Sequence, residues 1–241
     1  STRVRSSAAS DLYKRQVVEV IDDLGGLDLN ITQGEMNQIN KYKKDVDGVT
    51  GKNTPNVTQY GLVHLDGTQA TTYARIRKLS GDDFKRASRQ RIVLQAMLEK
   101  AKKANPATLV KICNSVVDDI STTLSLDQMV SLAKDVTKYK INSTTGFPTD
   151  LTTKNMPRCG DTVIPADLVT NVKKLHEYMF DDAAYTPSQT VQAISETIVN
   201  TTGITADSAK INTSDYNETV GATGTDEIQK GSETTGGTNV Q

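Results

Sequence analysis

The sequence predicts a layered α/β domain, and three observations carry that reading. A helical pattern halts at a glycine pair and gives way at once to a strictly alternating strand. Several later segments repeat the helical period of apolar residues behind recognisable caps. Short strand-like runs bounded by turn residues are interspersed among them, which places helices on both sides of the strands. The apolar fraction, 36%, is enough for one core, although aromatics make up only 5% and tryptophan is absent.

In chain order, Val17, Val20, Ile21 and Leu24 fall on one side of a helix that Gly25-Gly26 stops. Leu27, Leu29 and Ile31 then alternate with Asp28 and Asn30, as in a strand with one buried face. Residues 32–57 are polar and weakly periodic, and read as a short helix over 34–42 followed by a loop to Pro55. A strand over Tyr60–Leu65 leads through an Asp66-Gly67 turn to a short helix over 70–74. Residues 75–81 should be extended or looped. A long helix then starts with Asp82 or Asp83 as N-cap and turns Ile92, Val93, Ala96 and Met97 inward.

Asn105-Pro106 opens the next helix with proline at its first position, and Leu109, Ile112, Cys113, Val116, Val117 and Ile120 keep helical spacing. Ser125 and Gln128 form a capping box for a helix bearing Met129, Leu132, Ala133 and Val136. Short strands are expected over Tyr139–Ile141 and Thr162–Ile164, flanked by turns at Gly146-Phe147-Pro148 and Cys159-Gly160. Helices follow over Ala166–Phe180 and from Thr186-Pro187 through Val191, Ile194 and Ile198. Residues 203–241 are rich in Thr, Ser, Gly, Asn and Asp, too polar to offset the entropy of ordering, and are expected to be a disordered tail.

Net charge is −1, so no global field draws the chain to nucleic acid or acidic membrane. No apolar run approaches the eighteen or so residues that cross a bilayer. The first sixteen residues, STRVRSSAASDLYKRQ, differ in character from the rest and read as a non-native junction or a flexible arm, with the domain proper over 17–202. On that reading, anything upstream has been cut away. The two cysteines, Cys113 and Cys159, permit a disulfide without demanding one; Cys113, on an apolar helical stripe, fits a free buried thiol.

The strongest functional signal is the placement of arginine. Five of the nine arginines, Arg75, Arg77, Arg86, Arg89 and Arg91, lie between Tyr73 and Arg91, whereas lysine supplies most positive charge elsewhere. Guanidinium is the group that grips a carboxylate or phosphate bidentately. If Arg75 and Arg77 are extended, a period of two turns both to one side and Ile76 to the core. Arg86 and Gln90 stack four apart on the following helix, with Arg89 offset by one residue, and the helix start favours a phosphate. Asp83 is placed to orient a guanidinium or hold a metal ion, and Tyr73 to line the site. On composition alone, a solvated helix face with surface ion pairs, each worth about 0–1 kcal/mol, is an equal alternative. The window lacks the interleaved aromatics of a nucleic-acid binder.

The run GLVHLDGTQATTYARIRKLSGDDFKRASRQR resembles the C-terminal motif of the LytR–CpsA–Psr family: Tyr-Ala-Arg-x-Arg, an acidic residue, Arg and Arg-Gln. Upstream, VVEVIDDLGGLDLNIT is similar to the family's helix–GlyGly–strand element. Downstream, GFPTD and CGDTVIPADLVTNVKKLHEYMF are similar to extensions of clostridial-type members. The resemblance covers roughly residues 17–185.

It implies a three-layer α/β/α sandwich, extracytoplasmic and held to the cell membrane by an N-terminal anchor. It also implies transfer of a teichoic-acid- or capsule-like polymer from a polyprenyl-pyrophosphate carrier to peptidoglycan, assisted by Mg²⁺. By position, Arg75, Arg77 and Arg86 match the pyrophosphate-binding arginines, Asp83 the motif acid, Arg89 the adjacent arginine and Gln90 the motif glutamine. The family's first half, with its acidic metal ligands, does not precede Val17, so no metal ligands are assigned and this stretch is expected to be inactive alone. The alternative is a non-catalytic envelope regulator binding anionic polymer or lipid phosphate. Asp28 is read as solvent-facing or edge-stabilising, His64 as a surface or partly buried imidazole without a catalytic partner, and His176 as a packing residue.

Overall fold

The computed structural model describes residues 2–77, 82–116, 122–157 and 159–216. Helices and strands are mixed, as the sequence predicts, and the strands form two antiparallel sheets among the described residues. The first unit holds α1 (Thr2–Asp23), β1 (Leu27–Ile31), α2 (Gln33–Thr50), β2 (Gly61–Leu65), α3 (Gly67–Ala74) and α4 (Asp82–Lys103). Then come α5 (Pro106–Val116) and α6 (Leu126–Lys134). The second sheet and its helices comprise β3 (Asp150–Met156), β4 (Gly160–Pro165), α7 (Leu168–Phe180), α8 (Gln189–Thr202) and β5 (Ile211–Asn212).

Helix α1 is closed by a Schellman motif. Gly26 N–H donates to Ile21 C=O at 2.9 Å and Gly25 N–H to Asp22 C=O at 2.9 Å, with both glycines at φ +80°. The chain emerges into β1, whose Leu27, Leu29 and Ile31 are buried while Asp28 is exposed. β1 pairs with β2 so that Leu29 faces Val63 and Asp28 faces His64. The core joins Ile21 of α1 and the inward face of β1 to Ile39, Leu65, Tyr73, Ile76 and the α4 residues Ile92, Val93 and Ala96. Helices α1 and α3 approach closely: a Cβ on Gly67 would lie 2.2 Å from Val18 C=O. Asp22 Oδ1 accepts Gly67 N–H at 2.7 Å, so the end of α1 seats the start of α3.

The backbone is helical from Thr2, and Arg15 Nη2 donates to Val49 C=O at 3.0 Å. Two expectations for this unit are corrected. Helix α2 runs to Thr50 instead of stopping near Tyr42. Its later inward positions are Val46 and the charged Lys43 and Asp47, which break the apolar period; Lys43 donates to Thr54 C=O, and Thr54 Oγ1 donates to Asp47 at 2.6 Å. Asp66 is the N-cap of α3, with Gln69 completing a capping box, and not merely a turn residue.

One buried ion pair ties these parts together. Arg89 Nε donates to Glu35 Oε1 at 2.6 Å, with both side chains less than a tenth exposed. Glu35 Oε2 accepts Thr32 N–H at 3.0 Å in the α2 capping box, and Arg89 Nη1 donates to Ile76 C=O at 3.5 Å. The first turn of α2, the middle of α4 and the backbone after α3 therefore meet at one carboxylate and one guanidinium.

The second sheet has the order β4-β3-β5. The expected strand over Tyr139–Ile141 is irregular, with both named residues about 40% exposed. β3 was not foreseen, because only Leu151 and Thr152 of DLTTKNM are buried and no alternation marks it. Its partner β5 falls inside the expected disordered tail. Residues 203–216 are ordered: Lys210 N–H donates to Leu151 C=O at 3.0 Å and Thr213 N–H to Thr149 C=O at 2.8 Å. The tail beyond Tyr216, like Val117 and Ile120, lies outside the described residues. Fully buried Asn171 of α7 fastens to β3, donating to Asp150 C=O at 2.8 Å and accepting Asp150 N–H at 2.9 Å. Both cysteines are free thiols.

Asp28 meets Lys100 of α4 at 2.6 Å and His64 Nδ1 at 2.7 Å on the outer face of the first sheet, a solvent-facing role like the one expected of it. These partners, Lys100 foremost, hold its carboxyl below the ordinary value. His176 packs flat on Tyr185, ring centroids 3.3 Å apart.

Glu35→Gln should lower unfolding free energy by about 3–5 kcal/mol in urea denaturation, because it leaves Arg89 buried and uncompensated. Gly67→Ala should cost about 1–3 kcal/mol by forcing α1 from α3. Asp28→Asn should cost about 0.2–1 kcal/mol at neutral pH, since the pair is exposed. Because the folded carboxyl titrates below its unfolded value, that difference should persist above about pH 4 and vanish as acid is added below it.

Candidate anion-binding site

The site begins where α3 ends. Arg75 is the C-cap, with φ −105° and ψ −1°, and its N–H donates to Thr72 C=O at 3.0 Å. Ile76 N–H donates to Tyr73 C=O at 3.2 Å, and from there the chain leaves the helix. Arg75 is thus not extended, as the sequence reading supposed. The alternation nevertheless survives: Ile76 is buried in the core while Arg75 and Arg77 on either side of it are exposed.

Both arginines line one cavity of ≈ 180 Å³. Its other walls are Thr72 of α3 and Tyr42, Asp45 and Val46 of α2. Tyr42, Asp45 and Val46 sit at i, i+3 and i+4 and so share a helical face. The cavity combines two guanidiniums, a phenol and a hydroxyl around a small volume, an arrangement suited to an anion with several oxygens. The carboxylate of Asp45 in the same wall offers the guanidiniums a counter-charge.

The remaining members of the arginine window separate. Arg86 is half-buried on α4, and Gln90 is exposed one turn further on. Arg89 is not a site residue in this structure: the pair with Glu35 occupies its guanidinium inside the protein. Tyr73 does not line the cavity either. It is 1% exposed, in the core, with the Arg89 guanidinium 6.0 Å from its ring centroid. Asp83 falls in the first turn of α4, and its side chain lies outside the described residues. Among the described residues no group of three or more His, Cys, Asp or Glu is gathered to hold a metal ion. Asp45 alone is not a Mg²⁺ ligand set, and no step is assigned to a metal here.

Tyr42, Asp45 and Thr72 were missed from sequence. A signal existed for the first two: the Thr32–Glu35 capping box starts a helix, and continuing it past Tyr42 brings Tyr42, Asp45 and Val46 to one side. The charged residues at Lys43 and Asp47 concealed that continuation.

Among curated proteins, the chain is 31% identical over 113 residues to the polyisoprenyl-teichoic acid–peptidoglycan teichoic acid transferase TagU of Bacillus mycoides, covering 42% of this chain and 37% of that protein. It is 27% identical over 176 residues to the corresponding transferase TagV of Bacillus subtilis, covering 70% of this chain and 41% of that protein. The chain therefore spans well under half the length of these relatives. Among solved structures it is similar to B. subtilis TagV, with a TM-score of 0.46 and 20% identity over 72% of this chain and 63% of that one. The model of the LytR_cpsA_psr family matches residues 15–156, a stretch that contains both cavity arginines and the Glu35–Arg89 pair, and the chain belongs to that family.

Proposed function

We propose that the cavity at the end of α3 holds the diphosphate of a polyprenyl-linked glycopolymer, and that the whole protein transfers that polymer to peptidoglycan. The observation that carries this reading is the convergence of Arg75 and Arg77 on one small cavity inside the family-matched stretch. The names of the relatives, which are teichoic acid transferases acting between a polyisoprenyl carrier and peptidoglycan, support the substrate class. The relatives' chemistry supports a place at the outer face of the cell envelope on this reading; no helix among the described residues is long and apolar enough to cross a membrane.

In such a transfer an acceptor hydroxyl attacks the sugar-side phosphorus. The anhydride P–O bond breaks and the polyprenyl phosphate departs with the accumulating negative charge. Little covalent chemistry falls to the protein, whose contribution is positioning and charge stabilisation. Arg75 and Arg77 supply fixed positive charge, held in place because Ile76 between them is anchored in the core and its carbonyl accepts from Arg89. Arg86, which the motif matches to the same set, is half-buried on α4 and does not line this cavity. Mg²⁺, expected from the family, finds no ligand set among the described residues, where Asp45 is the one carboxylate in the cavity wall, and no step is derived through it.

Titration of the chain with farnesyl pyrophosphate, read by calorimetry, tests the donor site without requiring turnover. A charge-assisted hydrogen bond contributes about 1.5–3 kcal/mol, so Arg75→Ala and Arg77→Ala should each weaken binding by about ten- to a hundredfold. Lysine should restore only part of it, because the bidentate fork is lost. Unchanged affinity in both alanine variants sinks the reading.

A further inference from the structure

A second and larger cleft lies between α4 and the three-stranded sheet, away from the arginine cavity. Its volume is ≈ 710 Å³, within the roughly 300–1,000 Å³ of small-molecule sites. One wall is α4, where Phe84, Ala87 and Arg91 line the cleft at i, i+3 and i+7 and so share one helical face. The opposite wall is the sheet: Thr153 of β3 pairs with Val163 of β4, and Asp161 lies two residues along the same strand face. Buried Leu151 forms part of the floor.

The third wall is the Gly146-Phe147-Pro148 turn, which the returning chain holds down. Thr213 Oγ1 donates to Gly146 C=O at 3.1 Å, and Thr213 N–H donates to Thr149 C=O at 2.8 Å. Thr213 sits so close that a Cβ on Gly146 would meet its side chain at 3.0 Å. The turn is rigid, yet the ring it carries is left half in solvent: Phe147 is 50% exposed. A large apolar ring fixed at a cleft mouth at that exposure offers a flat surface to a ligand. Burial holds the Arg91 guanidinium below its ordinary basicity, so it is partly stripped of water beside the cleft.

We propose that this cleft binds a sugar chain bearing a carboxylate: a pyranose face stacks on Phe147, Arg91 takes the carboxylate, and Asp161 with the threonine hydroxyls takes ring hydroxyls. This combination of a flat apolar face, hydroxyl partners and one cation fits an acidic saccharide better than a lipid, which would leave the polar wall unsatisfied. The binding of an acidic saccharide in the cleft does not rest on the transferase reading above. Helix α4 walls only the cleft; the arginine cavity is walled by α2 and the end of α3, to which Arg89 of α4 is joined through Glu35.

The test is NMR titration of the full 241-residue chain with the N-acetylglucosamine–N-acetylmuramic acid disaccharide, beside chitobiose and inorganic pyrophosphate. The charged disaccharide should shift resonances of the cleft residues and bind at least about tenfold more tightly than chitobiose, a carboxylate–guanidinium contribution. Phe147→Ala and Arg91→Ala should each weaken it about tenfold or more while leaving pyrophosphate affinity unchanged, and Phe147→Tyr should keep it. Phe147 is surface-exposed, so its loss leaves the fold intact, and retained pyrophosphate binding reports that directly. No disaccharide binding, or binding indifferent to both alanine variants, overturns the proposal. Pyrophosphate failing to bind while the disaccharide still does removes the donor-site reading and leaves this one standing.

Discussion

The buried pairing of Glu35 with Arg89 is the contact on which the arrangement of the first unit depends. Its two partners are 54 residues apart and less than a tenth exposed. A charge so deeply placed costs several kcal/mol to desolvate, which only close geometry and further hydrogen bonds offset. Both conditions are met, since each carboxylate oxygen has its own donor and the guanidinium also reaches the Ile76 carbonyl. What this arrangement secures is the backbone between Arg75 and Arg77. A carbonyl held from the inside keeps Ile76 in the core, and two exposed arginines are then forced onto the same cavity.

Helix α4 serves three surroundings at once. Ser88, Arg89, Ile92, Val93 and Ala96 are buried, Phe84, Ala87 and Arg91 line the cleft against the second sheet, and Gln90 and Leu94 face solvent. A helix of 22 residues packed on two sides is stiff, and its Arg89 ties it to α2, the helix that walls the anion cavity. On the proposed reading, α4 forms one wall of the cleft and, through Arg89, steadies Glu35 of α2 and the Ile76 carbonyl behind the anion cavity.

Much of the fold was legible because it is written in local rules. The glycine pair after α1, the alternation of β1, the proline at the start of α5 and the Ser125–Gln128 box each act within a few residues. Where the rules failed, a long-range partner had replaced the local signal. The second half of α2 has charges where apolar residues were sought, because Lys43 and Asp47 are neutralised by Thr54 and by each other. β3 is polar and exists because it pairs along its length with β4, and the two-residue β5 exists because it pairs with the start of β3 across about 60 residues of chain.

By itself the sequence determined that guanidinium groups are concentrated around the end of α3 and the start of α4, and that they stand in a motif resembling that of the LytR–CpsA–Psr family. Arginine placement and motif spacing are properties of the string, so they survive without coordinates. The sequence could not say which arginine is which. Arg89 and Arg77 look alike in the motif, yet one is sealed against a carboxylate of another helix while the other stands at a cavity with Tyr42 and Asp45. Tyr73, expected to line the site, lies in the core for the same reason, and Tyr42 lines the cavity instead. Burial is decided by the partner that arrives from elsewhere in the chain, and the cost of desolvating a charge makes that decision all-or-none.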